Sequence, residues 1–197
     1  GTSASFVKSS YDIQSGIAGL NGVELSSYTY SLGVLGKATK SSEETMTRYG
    51  AIMYNIFKDQ ADTQGKTAWI EDLAGKTAYA VQMFRTDGTQ MAEAFASLGA
   101  NATSAGVEMD EQMAVLGRLQ GVMSGSVAGT KYNAFLAGVG QAQKELGLKF
   151  VDSQGHMLPV LQILDKIKNK YGDLRVLADS GLLKKGFGSD EAVSFIK

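Results

Sequence analysis

Apolar residues recur along this chain three and four positions apart, the spacing of an α-helix with one buried face. Phe6, Tyr11, Ile13 and Ile17 open the pattern, and Gly16, Gly19 and Gly22 close it, which predicts one short helix. Asn21 with Glu24 three residues on forms an N-cap and its capping partner. Leu25, Tyr28, Leu32 and Leu35 then repeat at helical spacing as far as Gly36. Ser41 with Glu44 reads as a second capping box, opening a helix marked by Met46, Tyr49, Ile52 or Met53, and Ile56 with Phe57.

The same pattern continues downstream. Trp69, Leu73, Tyr79 or Ala80, and Met83 with Phe84 form one stripe. Met91, Phe95 and Leu98 form the next, and Met113, Leu116, Leu119 or Gln120, and Met123 another. Leu25 to Gly33 and Met91 to Gly99 share Ser-Leu-Gly, and Glu44-Thr45-Met46 falls against Glu111-Gln112-Met113, which suggests a repeated helical-pair unit. Tyr132, Phe135, Leu136, Val139 and Leu146 extend the helical spacing. The short run Leu148 to Val151 tolerates strand and leads into Asp152-Ser153-Gln154-Gly155, a turn sequence with Gly155 available for positive φ. Pro159 fits the first turn of a helix carrying Leu161, Leu164, Ile167 and Tyr171, with Lys166, Lys168 and Lys170 where they suit its dipole. The tail predicts two short helices split at Lys185 to Gly188, with Ser189 as a cap.

The chain is therefore expected to be all-α: a multi-helix globular bundle of about eight to ten short helices, with one small turn or mini-hairpin near residues 148–156. No Pro/Ser linker divides it, so an N-terminal segment, 1–60, should run on into 61–197 as one domain. The chain starts at Gly1 rather than Met, which reads as an excerpt or a processed product, with Gly1 to Ala4 a candidate expression remnant.

Composition narrows the chemistry. The 197 residues suffice for a core without staples, and 20% charged against 44% hydrophobic residues argues against disorder. With 19 Lys plus Arg against 20 Asp plus Glu and no basic run, nucleic acid is not an expected partner. Cysteine is absent, and His156 is the single histidine, which removes thiol chemistry and Cys-type or multi-histidine metal sites. No cofactor is expected. Apolar runs such as Ala134 to Val139 are far too short to span a bilayer, so no membrane contact is expected and the chain should be soluble.

Candidate motifs are few. Gly65-Lys66-Thr67 and Gly75-Lys76-Thr77 imitate the end of a phosphate loop, but Gln60 and Ile70 stand where its first glycine must be. Gly138-Val139-Gly140 lacks the third glycine of a dinucleotide fingerprint. Acid pairs occur at Glu43-Glu44, Glu71-Asp72, Asp110-Glu111 and Asp190-Glu191, and paired acids are what glycoside cleavage requires. Three of the four fall at expected helix starts, where the dipole favours acids, and sequence neighbours diverge on a helix. His156 lies in a polar turn without a nucleophile signature. Gly117, Gly121, Gly125 and Gly129 stand four apart. Four glycines inside one soluble helix would each cost about 1 kcal/mol relative to Ala, so a break is expected, with Met123 ending one helix, Gly125 as left-handed C-cap and Ser126 capping the next.

The stretch Met123-Ser-Gly-Ser-Val-Ala-Gly-Thr-Lys-Tyr-Asn-Ala-Phe-Leu136 resembles the Gly-Ser-x-Ala-Gly-Thr turn and helix in the core region of phage tail tape measure proteins. A helix like Glu111 to Met123 before it, a turn like Asp152 to Gly155 after it, and a helix like Leu158 to Ile167 follow the family's order. The resemblance covers roughly residues 62–197, the 61–197 segment being its core, and residues 1–60 match only in character. Its structural turn motif falls on Gly125, Ser126, Ala128, Gly129, Thr130, Asp152 and Gly155.

The resemblance implies a structural component of a phage or prophage tail that governs tail length, and no enzyme. It implies a place in the virion tail and in the bacterial host cytoplasm during assembly. It also implies contacts with copies of itself, with tail tube or tail tip proteins and with tail assembly chaperones. Helix advances about 1.5 Å per residue, so a long helix can serve as a ruler. Here the frequent caps and breaks predict a folded module within such a protein instead. The rivals are a helical adaptor or oligomerisation domain unrelated to tails, and a tail-associated cell-wall hydrolase segment, which would need a convergent acid or nucleophile site.

Overall fold

The computed structural model describes residues 2–197. Its helices are α1 (Ser3–Gly16), α2 (Gly22–Ala38), α3 (Glu43–Ile56), α4 (Lys58–Gln64), α5 (Lys66–Phe84), α6 (Gly88–Leu98), α7 (Asn101–Ser104), α8 (Met109–Leu119), α9 (Gly125–Leu146), α10 (Val160–Tyr171), α11 (Leu174–Asp179), α12 (Leu182–Phe187) and α13 (Asp190–Ile196). No strand occurs among the described residues, so the fold is all-α as expected. Ten helices have seven residues or more; α7, α11 and α12 are single short turns too brief to leave a periodic signal.

Caps set most boundaries. The box between Asn21 and Glu24 forms as read, each side chain bonding the other's backbone N–H at 2.9 Å. Ser124, Asp173 and Ser189 likewise accept first-turn N–H groups. The expected cap at Ser41 shifts by one: Ser42 has the extended backbone and accepts the Thr45 N–H at 3.1 Å, while the Ser41 hydroxyl donates back to the Thr39 carbonyl. Pro159 sits as the extended residue just before α10.

Helix α9 is the centre. It packs against α6 along one side and against α12 and α13 along another, while α2 rests on α5 and α3, and α3 on α6. Three aromatic groups mark these seams: Tyr28, Tyr54 and Trp69; Tyr49, Phe57 and Phe95; and Phe135 with Phe187 and Phe195. The buried apolar side chains run as one cluster from Ile13 to Ile196.

Other expectations need correction. The tail holds three short helices, because the break at Ser180-Gly181, where Gly181 takes φ 80°, adds to the one at Gly188. The repeated helical-pair unit does not form: α2 packs broadly on α3, whereas α6 packs chiefly on α9 and only marginally on α8. Ser3 and Ala4, read as remnant, lie in the first turn of α1.

Candidate functional site

The four spaced glycines are divided between elements, as the break predicted, but not in the predicted roles. Gly117 lies in α8, Gly121 in the turn, and Gly125 and Gly129 in α9. Helix α8 ends at Leu119 rather than Met123. Gly125 is not left-handed; it is the first helical residue after the cap Ser124, and Ser126 is an exposed second residue. What demands glycine is proximity. A Cβ on Gly125 would lie 1.9 Å from the Gln90 carbonyl oxygen, and one on Gly129 would lie 2.3 Å from the Ala94 carbonyl oxygen. Gln90 also reaches over to accept the Gly125 N–H at 2.7 Å. Ala128, fully buried, sits beside Gly129 at this crossing, and Thr130 bonds back to the Ser126 carbonyl at 2.9 Å.

Asp152 and Gly155 form the expected turn. Val151 and Met157 make one antiparallel bridge, Gly155 takes φ 87°, and Asp152 Oδ1 accepts the Gln154 and His156 N–H groups at 2.8 and 2.9 Å. These donors, that of His156 foremost, hold the Asp152 carboxyl below its usual range. The turn is tied to the far end of α9, where Gln143 accepts the Phe150 N–H. Residue 143 stands roughly 27 Å along the helix from Gly125, so the two halves of the motif are separate structural devices.

The chemical candidates stay apart. Glu43-Glu44, Asp110-Glu111 and Asp190-Glu191 occupy first turns, and Glu71-Asp72 lies within α5, where Asp72 pairs with Lys76 at 3.1 Å. Lys76 also pairs with Asp110 at 2.9 Å. His156 is exposed and 3.4 Å from Asp152. Gly65 joins α4 to α5, and Gly75 is mid-helix, so neither Gly-Lys-Thr run curls around a phosphate. Thr77 instead is buried, donating to the Leu73 carbonyl and bonding the Tyr49 hydroxyl, both at 2.8 Å. Burial pushes the hydroxyl pKa of Tyr28, Tyr49 and Tyr132 up. Among the described residues, no three His, Cys, Asp or Glu side chains gather closely enough to hold a metal, and no helix is long and apolar enough to cross a membrane.

The surface carries features that periodicity missed. Of the alternatives Tyr79 or Ala80 it is Ala80 that is buried, with Trp69, Leu73 and Thr77, while Tyr79 is 65% exposed and Met83, read as core, is 59% exposed. Tyr79 and Met83 line a groove of about 240 Å³ between α5 and α8. A second groove, of about 380 Å³, shares Phe84 and Ala114 with it and continues to Leu161, 72% exposed at the start of α10. Phe6 of α1 with Tyr30 and Val34 of α2 line another outward groove, and Val7 and Tyr11 of α1 are exposed as well.

Apolar helix faces turned outward on this all-α body are places where other molecules can be met. The chain belongs to the family of phage-related minor tail proteins, whose family model matches residues 2–188. It is thus a phage tail protein, structural in kind, placed in the virion tail among other tail components. The match includes the N-terminal segment that the tape measure resemblance left out. No curated protein and no solved structure matches the chain.

Proposed function

We propose that this chain is a folded core segment of a tape measure protein, which governs tail length and tail assembly through protein contacts and carries no chemistry of its own. The observation that carries this reading is the Gly-Ser-x-Ala-Gly-Thr run at Gly125 to Thr130, lying within the family match at the crossing of α6 and α9. Family membership favours it over an adaptor unrelated to tails. Its partners are copies of itself, tail tube or tip proteins and assembly chaperones. Residues 1–60 and 61–197 act as one domain, a reading supported by the core continuous from Ile13 to Ile196.

The test is made in an otherwise intact phage. Gly129→Leu, which drives a side chain into the Ala94 and Leu98 backbone, should leave tails absent or irregular in length under electron microscopy. His156→Ala, and Glu71→Gln with Asp72→Asn, should leave tails of normal length. Normal tails from Gly129→Leu would refute the reading. So would peptidoglycan digestion by the purified chain that disappears with the Glu71 and Asp72 replacements, which would favour the hydrolase.

A further inference from the structure

The outward face of α8 reads Glu111, Ala114, Val115, Arg118 and, just past its end, Val122. These positions follow the three-four spacing of one helical stripe. Around them lie Met83 and Phe84 of α5 and Leu161 of α10, so two apolar grooves sharing Phe84 and Ala114 meet along α8. Such a continuous apolar strip on a globular surface marks an interface.

The charges on its rim specify the occupant. At one end Lys76 is shared between Asp72, at 3.1 Å, and Asp110, at 2.9 Å, so its charge is taken up within the chain. Glu111 accepts the Val160 N–H through Oε1 at 2.8 Å, its side chain's one hydrogen bond among the described residues, and the side chain of Arg118 is exposed and bonds to no group among them. An acid and a base thus stand seven residues, about 10 Å, apart on one helix face, with small side chains between them. We infer that this face receives a second copy of the same chain, the two α8 helices lying antiparallel about a two-fold axis that passes between Ala114 and Val115. Reversal about that point sets each Glu111 opposite the partner's Arg118, twice over. A dyad crossing α8 in the interface plane also brings α5 against α5 and α10 against α10, so the Met83 and Leu161 surfaces each meet their own counterpart. Ala114 and Val115 are small enough to let the helices approach, and antiparallel dipoles add to the fit. An unrelated partner would need a base and an acid at the same separation; a second copy supplies both by symmetry.

This deepens the self-contact within the proposed function by naming its surface. The experiment needs no tail, so its failure leaves the tail-length reading standing. Sedimentation equilibrium of the chain at roughly 10 to 100 μM, where contacts of micromolar strength are populated, should give twice the mass of one chain. Arg118→Glu, which places like charges face to face, and Ala114→Arg, which puts bulk and charge at the dyad, should each weaken the dimer about tenfold or more while circular dichroism stays unchanged. Combining Glu111→Lys with Arg118→Glu exchanges the charges and should restore association. A monomeric wild-type chain, a dimer indifferent to both single variants, or a double variant as weak as Arg118→Glu would overturn the inference.

Discussion

Replacing Gly129 by Ala opposes two effects whose sum the structure decides. In an ordinary helix interior the change gains about 1 kcal/mol from reduced backbone freedom in the unfolded chain. At Gly129 the new methyl would stand 2.3 Å from the Ala94 carbonyl oxygen, 2.7 Å from Ser97 Cβ and 2.9 Å from the Leu98 nitrogen. Two of these three atoms are backbone, so no rotamer change relieves the overlap, and α6 must move off α9. That movement loosens Phe95, Leu98, Ala128 and Tyr132, all fully buried. Overpacking of this kind costs about 1 to 3 kcal/mol, and the upper part of that range outweighs the propensity gain. Gly140 is the control: it lies in the same helix, is exposed, and a Cβ there meets nothing within 4 Å. Urea titrations followed by circular dichroism should therefore move in opposite directions. Gly140→Ala should raise stability by about 1 kcal/mol, and Gly129→Ala should lower it by about 1 to 2 kcal/mol with little change in m. Equal stabilisation by both would refute the close-approach account. Gly125→Asn separates it from the left-handed account, since Asn tolerates positive φ but still brings a Cβ to 1.9 Å from the Gln90 oxygen.

Buried hydroxyls and the 151–157 turn give two further tests. Tyr49→Phe removes a 2.8 Å bond to Thr77 in a fully buried site and should cost about 1 kcal/mol, whereas Tyr28→Phe removes a buried hydroxyl without a partner in the described chain and should leave the urea midpoint unchanged or raised. Asp152 should titrate with a midpoint below 3.8 when its carboxyl carbon is followed by NMR, because the ionised form accepts two backbone N–H groups. Its contribution to the turn is then complete above the unfolded value and is lost as pH falls through the lowered folded one; a midpoint at or above 3.8 would refute the Asx geometry.

Elements whose cause is local were legible in the sequence. The box at Asn21 and Glu24, the cap at Ser189 and the turn from Asp152 to Gly155 each depend on residues within four positions of one another. Features made by distant partners were not. Nothing near Gly125 announces that the Gln90 backbone lies against it, so a glycine after an apolar helix reads as a left-handed C-cap, and only the fold reveals a contact distance instead. Thr77 looks like the end of a nucleotide motif until Tyr49, 28 residues away, is seen bonding it. Periodicity says that α5 has an apolar stripe, but that stripe is wider than the surface α2 and α8 cover. Which edge stays dry is settled by the neighbours, and Tyr79 and Met83 fall on the uncovered edge.

Gly129 and Gly138 stand nine positions apart, and at about 100° per residue they point to opposite sides of α9. Each is met by backbone: Gly129 by α6, and Gly138 by the Phe187 carbonyl, whose oxygen would lie 2.4 Å from an added Cβ. The helix is thus clamped between two neighbours at near-contact distance and cannot relieve a clash on one side by sliding toward the other. That is the reason to place the cost of a methyl at Gly129 high in the range for overpacking. It also bears on how a tail protein would perform the contact role proposed for it. A central helix held by backbone on both faces fixes α6 and the C-terminal helices relative to each other, so the outward faces they support keep a constant spacing. On the proposed reading, constant spacing of those faces is the property that contacts within an ordered tail require.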